Sequence, residues 1–298
     1  MLAQQLLNGV VVGSVYGLFA LGFTLLFGVN HIMNMAHGAV FMWGAFAGLF
    51  AATMLDLPFI AALAIGALAG GLLSVLLDWV AFRPLRKRKA PEFSAIVSSI
   101  GANLILLSLA QQMTATRVMR FPFDTFPIRI YEVFGLRVQL LQLVIIGIVI
   151  LMVVGLVWYL QRTSAGRQIR TVAYSEGTSR LLGINPFSVN FQVFFLSGAL
   201  AGVAGVLIGL VFNSVHFMMG EPLLLRAFVV IILGGLGSIP GALVAGLLIG
   251  IVQVLTVSYL SAGMADVVVF SLLFLVLLAR PTGLFGSVHG GAARVARQ

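Results

Sequence analysis

Asn30, His31, Asn34 and His37 fall within eight residues of one another, in the stretch FGVNHIMNMAHGAVFMWGAF (27–46). Amides and imidazoles both donate and accept hydrogen bonds, yet this cluster lies between two long apolar runs. Two uses fit such a placement. Asn34 and His37 either cap the second helix and satisfy backbone groups that lipid cannot, or they line an interruption, with Gly38, that meets a polar solute. Asn103, inside SSIGANLILLS (98–108), raises the same question. An amide at membrane depth needs either a neighbouring helix to bond or a wet cavity to face. A third place is GGLGSIPG (234–241), with Gly237 and Ser238 at its centre. Glycine and proline at that density cannot continue one straight helix. They make either a simple turn or an interruption beside a pathway.

Other chemistry is missing. There is no HExxH, no nucleophile elbow and no GxxxxGK[ST] phosphate loop. The only lysines, Lys87 and Lys89, sit in a basic turn with no glycine before them. The histidines His31, His37, His216 and His289 have no metal-binding spacing. No catalysis, metal or cofactor is expected in this chain. The acids fall in loops or near expected helix ends: Asp78 and Glu92 flank the basic turn, and Asp266 opens the last helix. On that placement no carboxylate lies mid-membrane, which counts against an ion-driven carrier. Sodium held by backbone carbonyls at a broken helix stays open.

The elements that must position these residues are membrane helices. Of 298 residues, 61% are hydrophobic and 8% charged, against about 25% charged in soluble domains. Apolar segments at 5–27, 38–55, 57–82, 94–113, 139–160, 191–212, 223–257 and 264–280 approach or exceed the length that crosses a bilayer. The segment 223–257 is too long for one crossing and divides at 234–241, as two crossings or as a half-helix and a crossing. The fold class is all-α: a polytopic bundle of about 8–9 spanning helices, interrupted near 28–38 and 234–241, in a single domain over 1–298. Both interruptions follow Gly and precede Gly-Ala, which hints at an internal repeat. Gly9, Gly13 and Gly17, then Gly44/Gly48, Gly198/Gly202 and Gly246/Gly250, have the spacing of close helix packing. No cysteine is present, so disulfides are excluded.

Charge sets the orientation. The turn RPLRKRK (83–89), the loop 161–190 and the tail after 279 carry twelve basic residues, against four in 114–138. The positive-inside rule makes the first three cytoplasmic and the N-terminus external. Basic residues placed so reflect orientation and not a nucleic-acid partner. MLAQQLLNG lacks the basic start of a signal peptide, so the first helix is expected to be retained.

The loop GRQIRTVAYSEGTSRLLGINPFSVN (166–190) has the periodicity of one short helix with a basic face and an apolar stripe, stopping at Gly183 and Pro186. It could lie in the headgroups or dock on a cytoplasmic motor. FGVNHIMNMAHGAVFMWGA, GRQIRTVAYSEGTSRLLGIN, GGLGSIPGALVAG and ARPTGLFG (279–286), in that order, span nearly the whole chain. Together they resemble the permease subunits of ATP-driven branched-chain amino acid importers, the LivH type. The loop departs from related ones at Glu176-Gly177-Thr178, where Glu-Ala-Ala is typical. Glycine there weakens a helix by about 1 kcal/mol.

The resemblance implies an inner-membrane heteromer. A second, homologous permease completes the pathway, two cytoplasmic ATPase subunits bind ATP and Mg, and an external or periplasmic binding protein delivers the substrate. It implies a coupling loop over 161–190 that includes Gly166, Arg170, Glu176, Gly177, Arg180, Gly183, Ile184 and Pro186. Urea, short amides or another small carboxylate are alternative cargoes, and an ion-coupled carrier is the rival class.

Overall fold

The computed structural model describes residues 1–285 except Lys89, Phe123, Asp124, Ile128 and Phe134, with only the backbone of Glu92 and Val133. Lys89, Gly286, His289, Arg294 and Arg297 therefore lie outside the described residues. The helices are α1 (Leu2–Asn30), α2 (His37–Met54), α3 (Phe59–Leu77), α4 (Arg83–Lys87), α5 (Glu92–Thr114), α6 (Leu140–Arg162), α7 (Ser164–Tyr174), α8 (Glu176–Leu181), α9 (Pro186–Val211), α10 (Gly220–Gly234), α11 (Ile239–Tyr259) and α12 (Ala265–Ala279). A π-turn over Asp78–Phe82 joins α3 to α4 in one continuous helix. Eight of these stretches are long and apolar enough to cross a membrane. The segment 114–138, read only as a loop, contributes most of a small antiparallel hairpin, β1 (Ile130–Val133) with β2 (Leu136–Gln139).

The long helix α1 is the central post, and it is buried along most of its length. It runs antiparallel to α11, with Gly13 against Gly250 and Gly17 against Gly246. A Cβ added to Gly246 would lie 2.5 Å from Gly17 Cα. A second seam joins α2, α3 and α9, where Gly202 touches both Gly44 and Gly66 and Gly198 meets Gly70. Between apolar helices in lipid the hydrophobic effect adds little, so this backbone contact is a main source of association. Around the core, α5, α6 and α12 leave most of their apolar surface exposed.

The basic segments gather at one end. Arg83 lies over the Phe187 ring at the start of α9, α7 packs against α1, α6 and α9, and the tail reaches the α10–α11 turn. There the Leu284 N–H donates to Leu233 O (2.8 Å) and the Phe285 N–H to Gly234 O (3.2 Å). Those carbonyls end α10 and have no partner within their own helix. Thus the ARPTGLFG tail closes the GGLGSIPG break. The N-terminus lies at the other end with β2 and the start of α6: Gln4 Nε2 donates to Arg137 O (2.9 Å) and Gln142 Nε2 to Asn8 Oδ1 (2.9 Å).

The segment 223–257 resolves as a half-helix and a crossing. The 15-residue α10 is too short to span alone. Residues 212–219 descend before it, tied to the outer segment by the Met119–Val215 bridge and by Phe121 N–H to Asn213 Oδ1 (3.0 Å).

The glycine seams make a specific prediction. Gly202→Val should cost at least about 1–3 kcal/mol, because the surrounding backbone leaves no room. Gly147→Ala, with nothing within 4 Å of the added carbon, should be neutral or raise stability by up to about 1 kcal/mol. Thermal unfolding of the two purified variants in detergent measures the contrast.

Candidate functional site

Two helices begin inside the bundle. The first is α2. Its leading residue, His37, stacks on Phe19 (ring centroids 4.7 Å) and meets Phe23 edge-on (5.5 Å), about two turns before α1 ends. Residues 31–36 therefore turn back into the interior after α1. Lipid cannot satisfy such backbone, and the protein does so itself. Asn34 Oδ1 accepts from the Ala36 N–H (3.0 Å), and Ser99 Oγ on α5 accepts from the Met35 N–H (3.1 Å).

The capping expectation changes here. Asn34 shapes the turn before α2, and His37 caps nothing: no side-chain cap bond forms at this helix. His37 is fully buried, with its ring against the Phe19 backbone as well as the Phe19 side chain. Ala36 occupies the N-cap position, so His37 is the first helical residue and stands one place past the cap.

The second interior start is α10. Its Gly220 packs on Gly38 so closely that a Cβ on Gly38 would lie 2.7 Å from Gly220 O. Gly38, Ala39, Asn103, Gly220 and Glu221 line one narrow cleft with apolar neighbours. Its free volume is about 10 Å³, the limit for a single water. Asn103 stands midway along α5, so the cleft lies midway between the ends of a membrane-length helix. Glu221 is half-buried there, and its carboxylate has no ion pair or hydrogen bond among the described residues.

This overturns the surface placement of one acid. Glu221 does begin a helix, but that helix begins inside. Asp78, paired with Arg86, stays at the basic end of the continuous α3–α4 helix as expected. Sequence distance from a helix end equals depth only when the helix starts at the surface.

The sequence reading also passed over Arg226, the lone charge in the apolar run 223–234. Its Nη1 donates to Tyr16 Oη (3.0 Å), midway along α1, while Nε and Nη2 donate to Asp266 Oδ1 (3.2 and 2.9 Å) at the start of α12. One guanidinium thereby ties α10 to both α1 and α12. At the N-terminal end, Gln5, Asn8, Gln139, Gln142 and Gln253 line a cleft of about 430 Å³. These amides are scattered over three segments, and no local motif joins them.

Gly237 and Ser238 are far from Gly38 and Asn103. They form an exposed turn at the basic end, where Gly28 lies against Gly237. Gly237 takes φ 81°, and Ser238 Oγ accepts from the Gly241 N–H (3.2 Å) to cap α11. The break is a turn between helices, and its glycine is required by backbone angle.

The loop 163–185 holds two helices where one was expected. Ser175 is extended, ends α7 and caps α8 through the Thr178 N–H (3.2 Å). Gly166 fits against the carbonyls of Tyr159 and Leu160, and Arg170 donates to Leu160 O. Ile169 and Val172 bury the inner face of α7. Glu176 and Arg180 pair across one turn of α8 (2.7 Å), and Gly177 is open. Gly183 takes φ 76° at its end, Ile184 packs on the core, and Pro186 opens α9. Tyr174, Leu181 and Leu182 stay exposed, at 87%, 88% and 67%.

Eight membrane-length helices and polar helix starts held in the interior define a multi-pass membrane protein. The family profile described as branched-chain amino acid transport system / permease component matches residues 5–277, and the chain belongs to that family. It is 35% identical to the high-affinity branched-chain amino acid transport system permease protein BraD of Pseudomonas aeruginosa, over 95% of each chain. It is 34% identical to the corresponding LivH proteins of Salmonella typhimurium and Escherichia coli K12, again over 95% of each chain. No solved structure matches the chain.

The buried imidazole yields a prediction. His37→Leu removes the ring's bond to the Phe19 backbone and its stacking on Phe19, so the bundle should lose about 0.5–1.5 kcal/mol. Thermal unfolding in detergent measures the loss, and an unchanged midpoint would show that the ring makes no such bond.

Proposed function

We propose that the protein is the permease subunit of an ATP-driven importer of branched-chain amino acids in a bacterial inner membrane. Its pathway runs past the cleft where α2 and α10 begin. The observation that carries this reading is the meeting of Gly38, Asn103, Gly220 and Glu221 at mid-depth within a chain of this family. Helix starts offer free N–H groups and a positive dipole end to a carboxylate, and Glu221 offers a negative group to an ammonium. In this structure the cleft is closed. Parting the Gly38–Gly220 contact opens it.

The chain has no phosphate loop, so the motor is borrowed from ATPase subunits that bind ATP and Mg. The exposed Tyr174, Leu181 and Leu182 on α7 and α8 are the apolar surface offered to them. A second, homologous permease and an external binding protein complete the assembly. The gathering of basic side chains at one end supports a cytoplasmic placement for α7, α8 and the tail, with the N-terminus outside.

Reconstitution of the full assembly in liposomes tests the reading. Loaded binding protein and internal ATP should drive leucine uptake, whereas uptake driven by an ion gradient without ATP would refute it. Glu221→Gln should lower uptake at least tenfold while the complex still assembles. Leu181→Arg should abolish both uptake and its ATP hydrolysis. Glu176→Lys should uncouple the two while the bundle stays folded, since the exposed pair it breaks contributes only about 0.3–0.5 kcal/mol. Wild-type uptake in Leu181→Arg would remove the docking assignment.

Orientation has its own measurement, because the native chain has no cysteine. Leu236→Cys places a thiol on the exposed α10–α11 turn. An impermeant maleimide should label it from the cytoplasmic side alone, and labelling from outside would invert the topology.

A further inference from the structure

Trp79, Arg83, Pro84, Lys87 and Arg88 line an open cleft of about 470 Å³ at the basic end of the α3–α4 helix. Among the described side chains only Asp78 offers them a counter-charge, acting on Arg83 from beyond ion-pair distance. Asp78, the acid on the same helix, is held by Arg86. Among the described side chains no carboxylate lies within ion-pair distance of Arg83, Lys87 or Arg88. Arg83 rests over the Phe187 ring at 5.1 Å, and its Nε is shielded from solvent without a hydrogen-bond partner.

The same helix leads an apolar track into the cleft. Leu68, Leu72 and Leu76 are exposed at intervals of one turn, followed by exposed Trp79 and Val80. Trp79, Arg83 and Lys87 then continue at the same spacing, which keeps them on one face. The order is hydrocarbon, indole, cation. It matches acyl chain, interface and phosphate along a bilayer normal, where Trp marks the headgroup level and basic pockets at the cytoplasmic side hold anionic headgroups.

We propose that this cleft binds the headgroup of an anionic phospholipid whose acyl chain lies along Leu68–Leu76. An acidic protein surface docking from water would meet the cations but would leave the leucine track unused. The site is separate from the α7–α8 surface and from the interior cleft, and it does not depend on what the permease carries. A lipid held there braces α4 against the Phe187 start of α9.

Native mass spectrometry of the full chain, titrated with dioleoylphosphatidylglycerol or dioleoylphosphatidylcholine, tests the proposal. The anionic lipid should bind at least about fivefold more tightly, as expected from ~1 kcal/mol per basic residue at the membrane surface. Lys87→Gln/Arg88→Gln should erase most of that preference. If this variant fails to insert, raising the salt on the wild-type chain should erase it instead. In a Trp43→Phe/Trp158→Phe chain, Trp79 fluorescence should be quenched more by brominated phosphatidylglycerol than by brominated phosphatidylcholine. Equal binding of the two lipids, or a preference untouched by both the variant and salt, would overturn the site. Displacement of the lipid by inorganic phosphate would make it a plain anion site, and displacement by added ATPase subunits would make it a protein contact. Either outcome also overturns the proposal.

Discussion

Backbone N–H and C=O groups inside a bilayer have no water to bond, and the rest of this structure follows from that constraint. A helix that starts or stops within the bundle must be satisfied by the protein. Ser99 and Asn34 do this for residues 35–36 ahead of α2. The tail does it for the end of α10, with the N–H groups of Leu284 and Phe285 bonded to the carbonyls of Leu233 and Gly234. The interior start of α2 is thus tied to α5, and the end of α10, at the basic end, is tied to the tail. Moving either terminus requires its partner to move as well.

Close glycine contacts make those interior termini possible. Gly220 against Gly38 brings two helix starts together at mid-depth, and Gly202 between Gly44 and Gly66 holds the helices behind them. Backbones that approach this closely leave little space between the elements, which is why the central cleft is nearly closed. In the proposed pathway this is the point that opens. The Gly38–Gly220 contact is small and lacks interdigitating side chains, so separating it disrupts less packing than parting α1 from α11.

Charge is arranged by the same logic. Arg226 is tolerable within an apolar half-helix because Tyr16 and Asp266 meet it from two neighbours. Arg86 and Asp78 form a second internal pair. Glu221 has no such partner, and its place beside two helix starts accounts for how a carboxylate is accommodated there. The exposed cations at the basic end remain available to groups outside the chain.

Composition and periodicity by themselves determined the class, the apolar segments, the division of 223–257 and the small-residue faces, because those depend on local hydropathy and spacing. The four motif blocks carried the family. Which glycines meet, and which polar residues share a cleft, were decided only by tertiary structure. Gly38 and Asn103 are neighbours because 31–36 turns back inward, and no local signal gives the depth at which a helix starts. Glu221 looked superficial for the same reason. Gly237 and Ser238 looked like pathway residues because a turn and an interruption both use glycine and proline; the exposure of Gly237 and the capping bond of Ser238 separate the two. Ser175 divided the expected single helix because its side chain bonds a backbone N–H that would otherwise continue α7, a competition that hydropathy does not register.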